Sequence, residues 1–270
     1  MNYHRLRKLL LTGAYIFYNA VAGNSLANSP NIYRRKNLFM MMISIIIPTL
    51  NEALNIGKLI SFLLYNKNEK VLEIIIADGG SNDGTVDIAL AAGVRAVKAP
   101  RQGRAAQMNY GASLANGDIL YFIHADTLPP ASYAFDITSA VNNGFNFGRY
   151  RTRFEGNRLL LKLNAFFTRF DWFVCYGGDQ TLFMRKDFFY LLKGYDESLL
   201  MMEEYNLTER AKEKGRYKIM KKAAIVSIRK YHRNSWWQVQ KANFIAVKMY
   251  RRGVPQQLML QRYKEMIRQL

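Results

Sequence analysis

The sequence predicts an α/β fold: a doubly wound, mostly parallel sheet flanked by helices, with a basic helical carboxy-terminal arm. Two observations predict the sheet. Runs of β-branched residues alternate with amphipathic helical stretches from residue 43 to residue 126, and the connections between them are short, as right-handed strand–helix–strand crossovers require. A third observation, the uneven placement of charge, predicts the arm.

Residues 43–47 are a β-branched run that reads as a buried parallel strand, stopped by Pro48. Residues 55–65 place Ile56, Leu59, Ile60, Leu63 and Leu64 on one side of a helix. A second strand, 71–77, ends in Asp78-Gly79-Gly80. A helix over 84–92 stops at Gly93, and a third strand covers 94–99. A helix over 104–115 ends near Gly117, and a fourth strand, 118–123, runs into His124-Ala125-Asp126. The second half is less regular. It predicts strands over 147–154, 181–184 and 219–228, and helices over 159–173, 203–214 and 235–252, with Pro255 opening a last one. No repeat or low-complexity linker divides the chain. The expected organisation is an extension over 1–40, a catalytic domain over 41–230 and a basic arm over 231–270.

The net charge of +19 lies in the two ends. Residues 1–40 hold six Lys/Arg and no acid; residues 205–270 hold 17 against three Glu; the middle is near neutral. Charge of this kind points to an anionic partner. No zinc-finger or RNA-binding signature accompanies it, so an anionic membrane surface is expected and nucleic acid is not. Trp236, Trp237, Phe244, Met249 and Tyr250, set among Lys241, Lys248, Arg251 and Arg252, suit either an interfacial helix or one docked on the core. Cys175 is the single cysteine, which excludes an internal disulfide and fits a reducing compartment. The expected location is the cytoplasm, peripheral on the inner face of the cell membrane. Residues 9–27 read as a secretory signal, a non-native extension before Met40, Met41 or Met42, or a short interfacial helix, and the sequence leaves these open.

Ligands of open α/β sheets bind outside the carboxyl ends of the strands. Here those ends carry 48–52, 78–84, 101–104 and 124–126, which gathers acids and glycine turns along one edge. Like charges need a reason to meet, and a divalent cation with a diphosphate supplies one. There is no Walker A sequence, and no G-x-G-x-x-G follows the first strand, so a P-loop NTPase and a dinucleotide oxidoreductase are disfavoured.

Ile45-Ile46-Ile47-Pro48-Thr49-Leu50-Asn51-Glu52, followed by Asp78-Gly79-Gly80-Ser81-Asn82-Asp83-Gly84-Thr85, resembles the nucleotide-binding half of family 2 glycosyltransferases, enzymes of GT-A fold. Residues 103–109 with Gly111-Ala112, and His124-Ala125-Asp126-Thr127, are similar to a bacterial subfamily. That subfamily is associated with radical-SAM or selenium-related gene clusters or with arsenosugar biosynthesis. Tyr176-Gly177-Gly178-Asp179-Gln180, Met202-Glu203-Glu204 and Gly253-Val254-Pro255 fit it too.

The resemblance implies an inverting, metal-dependent transfer of sugar from a nucleotide donor, UDP-linked, to an acceptor hydroxyl, a lipid-linked acceptor included. Pro48, Leu50, Glu52 and Asp78 would hold the base and ribose. Arg104 would meet the diphosphate, with Gln107 on the same helical face toward the sugar or acceptor. Asp126 would bind Mn²⁺ or Mg²⁺. Asp179 and Gln180 would line the acceptor side. Glu204 would be the catalytic base, at a position where the family usually has Asp, with Glu203 as the other candidate. His124 could ligate a cation or hydrogen-bond beneath the site, and Asp83 sits in good turn chemistry. Two rivals are a sugar-nucleotidyltransferase, which would normally show a glycine-rich first loop with a basic residue after strand one, and a non-catalytic nucleotide-sugar binder at the membrane surface.

Overall fold

The computed structural model describes residues 41–176 and 181–268. Strand β1 (Ile43–Thr49) is buried at every position, because its β-branched run lies between neighbours on both sides. It pairs in parallel with β2 (Val71–Asp78) and β4 (Ile119–Phe122), and β2 pairs in parallel with β3 (Arg95–Lys98). Helices α1 (Ala53–Tyr65), α2 (Thr85–Ala91) and α3 (Arg104–Leu114) make the crossovers. Ile56, Leu59, Ile60 and Leu63 of the predicted face of α1 are buried, while Leu64 is exposed.

Beyond β4 the sheet becomes mixed. The short β5 (Thr127–Leu128) is followed by α4 (Tyr133–Asn142), then β6 (Phe147–Phe154), α5 (Leu159–Phe167) and a 3₁₀ turn at Phe173–Cys175. Next come β7 (Leu182–Arg185), α6 (Lys186–Leu191), α7 (Glu203–Lys214) and β8 (Tyr217–Val226). The eight strands run β3-β2-β1-β4-β7-β6-β8-β5. β7 is antiparallel to β4 and β6, β8 is parallel to β6, and β5 is antiparallel to β8. The parallel pattern read from the sequence therefore holds for the first half, and the antiparallel β7 turns the second half into a mixed sheet.

One local expectation changes. The helix expected over 159–173 ends at Phe167, where buried Arg149 takes the carbonyls of Thr168 (2.8 Å) and Phe170 (3.2 Å). A guanidinium offered to these carbonyls replaces the continuing helical bonds. Helices α4 and α6 lie outside the predicted elements; α4 buries Tyr133, Ala134, Ile137 and Val141, and α6 is only six residues long. The last three helices, α8 (Lys230–Arg233), α9 (Trp236–Arg251) and α10 (Gln256–Met266), pack on the rest of the chain through Tyr231, Val239, Ala242 and Met259.

Gly148 marks the tightest point of the mixed half. A Cβ there would lie 2.3 Å from the Lys218 carbonyl oxygen and 2.6 Å from the Phe183 ring. Both neighbours are fixed by strand pairing, so neither can move cheaply. Gly148→Ala is expected to cost about 2 kcal/mol, lowering Tm by roughly 4–8 °C. A thermal melt followed by circular dichroism checks it; an unchanged Tm would mean that the β6–β7–β8 contact is loose.

Candidate active site

The parallel half delivers its carboxyl ends to one edge, and the polar residues there divide into two groups. The first group builds turns. Asp78 is buried at the end of β2, and its carboxylate accepts four hydrogen bonds: from the Thr49 hydroxyl (2.9 Å), the Ser81 hydroxyl (2.5 Å), and the backbone N–H groups of Gly80 and Ser81 (both 2.8 Å). Burial would raise its pKa, but these donors outweigh that and hold the carboxyl below its ordinary value. These bonds use all four acceptor directions of the carboxylate, so Asp78 shapes the loop, and it also lines the cleft beside that loop. Asp83 caps α1 from across the turn by accepting from Ala53 N (3.0 Å), and also accepts from Thr85.

Gln107 is buried as well. Its amide nitrogen donates to the carbonyls of Thr49 (2.6 Å) and Ala77 (2.9 Å), tying the ends of β1 and β2 together beneath Gly79. It therefore stands under the loop and not on an open sugar-facing surface. Asn109 bonds the backbone of Tyr195 in both directions. Pro48 is inside β1, whereas Leu50 projects outward. Between the 78–84 loop and β3 lies a cleft of ≈ 440 Å³, with Ser81, Asn82, Val97 and Lys98 among its walls.

The second group is charged and faces the edge. Helix α7 begins with Glu203 and Glu204, both buried, directly after Met202, a non-glycine residue in the left-handed region (φ 68°). Such backbone costs free energy and is kept where surrounding packing imposes it; Met202 is wedged among Tyr176, Tyr205 and Met259. Arg104, at the start of α3, lies 3.2 Å from Glu203 Oε1 by its Nε and 3.6 Å from Glu204 Oε1 by Nη1. His124 Nε2 is 3.1 Å from Glu204 Oε1. His124 thus pairs with the acid of α7, which is the hydrogen-bonding role left open above.

Burial, then the adjacent Glu204 charge, raises the Glu203 carboxyl to about 7 against the pull of Arg104. Burial would raise Glu204 too, but Arg104 and the His124 hydrogen bond prevail and hold it below its ordinary value. Two carboxylates this close share their countercharges unequally.

Arg229, just past β8, was not singled out by the sequence. It makes a bidentate pair with Glu52 (2.6 and 2.7 Å), and its Nε is 3.1 Å from Asp126 Oδ2. The antiparallel pairing of Thr127 with Val226 brings the 126 and 229 neighbourhoods together. Arg229 is one of 17 cations in the last 66 residues, so only the fold distinguishes it. Among the described residues, no group of three or more His, Cys, Asp or Glu converges as a metal site. Asp179 and Gln180 lie outside the described residues.

Residues 44–169 match the family model described as glycosyl transferase family 2, a stretch just under half of the chain. That stretch is similar to the family 2 glycosyltransferase domain. The fold is that of solved GT-A glycosyltransferases. TarS of S. aureus, crystallised with UDP-GlcNAc, superposes with a TM-score of 0.58 at 16% identity, over 70% of this chain and 59% of that one. Glucosyl-3-phosphoglycerate synthase of Mycobacterium tuberculosis, crystallised with Mn²⁺, UDP and glucosyl-3-phosphoglycerate, gives 0.55 at 20% identity, over 80% and 81%. The chain thus spans less than two thirds of TarS. No curated protein matches the sequence significantly. Among the described residues no helix is long and apolar enough to cross a membrane.

The Glu203 shift has a thermodynamic consequence. Between its ordinary value of 4.5 and about 7, the unfolded chain has lost a proton that folded Glu203 still holds. Stability contributed by this group therefore falls as pH rises through that window and stays low above it. Glu203→Gln removes the buried charge, so its Tm is expected to exceed wild type at pH 8, by on the order of 5 °C, and to converge with it near pH 5. Paired melts across that range check the sign; a gap that widens toward acid would contradict it.

Proposed function

We propose that the protein is an inverting glycosyltransferase that moves a sugar from a UDP-linked donor to an acceptor hydroxyl with a divalent cation. The observation that carries this is the edge itself: Glu52, Asp126, Glu203 and Glu204 pair with Arg104, Arg229 and His124 at the carboxyl ends of the strands, where the β2 loop and β3 also frame a cleft. The two neighbours crystallised with UDP or a UDP-sugar support the donor class. Placement in the arsenosugar- and selenium-linked subfamily is part of the proposal and rests on the motifs at 103–109 and 124–127.

The uracil and ribose would enter the cleft beside Ser81 and Lys98, with Pro48 and Leu50 bordering it and Glu52 and Asp78 fixing its loops. Asp126 would hold a Mn²⁺ or Mg²⁺ ion. The fit follows from Arg229: this corner already holds one positive group against two carboxylates. With Asp126 as its protein carboxylate and Glu52 held by Arg229, such an ion would take its remaining ligands from phosphate and water, a usual mode for Mg²⁺. When bound, the ion would offset charge on the departing diphosphate. Arg104, half exposed at the amino end of α3, would add a second cationic contact there.

Glu204 would accept the acceptor's hydroxyl proton as that oxygen bonds the anomeric carbon and the carbon–diphosphate bond breaks, its electron pair leaving with the diphosphate. His124 and Arg104 keep Glu204 ionised at neutral pH, a requirement for a base. Glu203, whose carboxyl burial and the Glu204 charge hold above its ordinary value, would limit repulsion of the incoming diphosphate. Asp179 and Gln180 would serve the acceptor side.

A peripheral membrane position belongs to the same proposal. On α9 the exposed residues Trp237, Lys241, Phe244, Lys248 and Arg251 recur at helical spacing, while Trp236, Met249 and Tyr250 pack inward. An aromatic and basic stripe of this kind suits anionic headgroups.

Donor hydrolysis with UDP-glucose and UDP-GlcNAc, in Mn²⁺ and Mg²⁺, tests the activity; donor binding without turnover under every condition would sink it. Calorimetry with UDP and Mn²⁺ is expected to show that Asp126→Ala loses the metal-dependent part of binding, and unchanged affinity would remove Asp126 from the cation site. Glu204→Gln is expected to slow transfer by roughly 10²–10⁴-fold at little cost to donor affinity. Near-normal transfer by that variant, with collapse in Glu203→Gln, would move the base one residue upstream.

A further inference from the structure

Helix α5 is built from Leu159-Leu160-Leu161-Lys162-Leu163-Asn164-Ala165-Phe166-Phe167, yet only Leu161 is buried. Leu159 is 79% exposed, and Leu160, Leu163, Phe166 and Phe167 are exposed with it. The patch continues past the helix: Phe170 stacks on Trp172 at 4.7 Å, Phe167 lies 6.0 Å from Trp172, and Phe166 is 5.7 Å from Phe170. These rings pack on one another, and Trp172 remains 52% exposed. Scattered exposed apolar residues need no explanation, but a contiguous patch marks a surface that meets something.

The patch is also held firmly in place. Leu161 packs with Val239 and Ala242 of α9, the Arg158 guanidinium donates to the Tyr231 carbonyl, and Arg149 grips the carbonyls that follow the helix. Its outward display therefore does not come from a loose segment.

Charge identifies the partner. From residue 156 to residue 170 there is no acid, and Arg158, Lys162 and Arg169 are exposed. The flanking acids are neutralised within the chain: Glu155 pairs with Lys58 (3.3 Å) and Asp171 with Lys212 (2.8 Å). Arg169 lies over the Phe166 ring at 3.9 Å, a cation resting on an aromatic face. A second copy of the same face would set these cations against themselves. An anionic bilayer satisfies both halves of the surface, with the leucines and aromatics entering the acyl boundary and the cations meeting headgroups. At nine residues, about 13 Å long, the helix can lie in the interface and cannot span it.

We propose that the outer face of α5, with Phe170 and Trp172, is a surface that inserts into anionic membranes, separate from the stripe on α9. It goes beyond the transferase reading and does not depend on it.

The full-length chain is mixed with vesicles of phosphatidylglycerol and phosphatidylcholine, and with phosphatidylcholine alone. Trp236→Phe with Trp237→Phe leaves Trp172 as the only tryptophan of three. Its emission is expected to shift to shorter wavelength, and to be quenched by chain-brominated lipid, in the anionic vesicles only. Leu159→Gln, Leu163→Gln and Phe167→Gln together are expected to weaken partitioning by roughly tenfold or more, while Tm and donor hydrolysis in solution stay unchanged. Trp172 left unquenched while the protein sediments with vesicles would overturn the proposal, since α9 would then hold the membrane alone. Self-association without lipid that the three substitutions abolish would overturn it too. Donor hydrolysis is read separately, so failure of the transferase reading gives a different result.

Discussion

Four carboxylates share two guanidiniums and one imidazole at the carboxyl edge of the sheet, and the rest of the site depends on that balance. Arg104 and His124 compensate the buried pair at the head of α7, while Arg229 compensates Glu52 and Asp126. Buried charge without such partners is expensive, so the backbone must bring these groups to one place. It does so by two routes. The parallel strands β1, β2 and β4 end together, and the antiparallel pairing of β5 with β8 carries Arg229 back to the same edge.

The remaining polar residues of the edge do a different job. Asp78, Asp83 and Gln107 spend their hydrogen bonds on backbone and neighbouring hydroxyls, which fixes the loops around the cleft. A rigid loop presents its backbone groups in one arrangement, and preorganisation of this kind lowers the cost of binding. The contrast between saturated and shared acids is what separates scaffold from candidate chemistry here. Both kinds are carboxylates at strand ends, and their position in the chain does not distinguish them.

Much of the fold was legible in the sequence. The strand–helix alternation over 43–126 placed β1 to β4 and α1 to α3 within a few residues, because buried parallel strands and amphipathic helices have strong, different periods. The mixed half was less legible. Helix α6 is short, α5 is apolar on nearly all sides, and the orientation of β7 leaves no trace in its own residues. Aromatic residues in the carboxy-terminal helices behaved both ways: Tyr250 and Trp236 pack inward, while Trp237 and Phe244 face solvent. Composition could not sort them.

The sequence by itself determined the α/β class, the order of the first strands, the motifs that resemble family 2 glycosyltransferases and the placement of positive charge toward the chain's ends, because these are set by local periodicity and residue identity. Only the tertiary structure decided which acids are saturated by loop hydrogen bonds and which share a countercharge. The saturation of Asp78, the burial of Gln107, the pairing of His124 with Glu204 and the arrival of Arg229 at Glu52 and Asp126 all join residues far apart in the chain or depend on a loop's full geometry. Electrostatic free energy depends on distance and burial, and neither is written in a residue's neighbours along the chain.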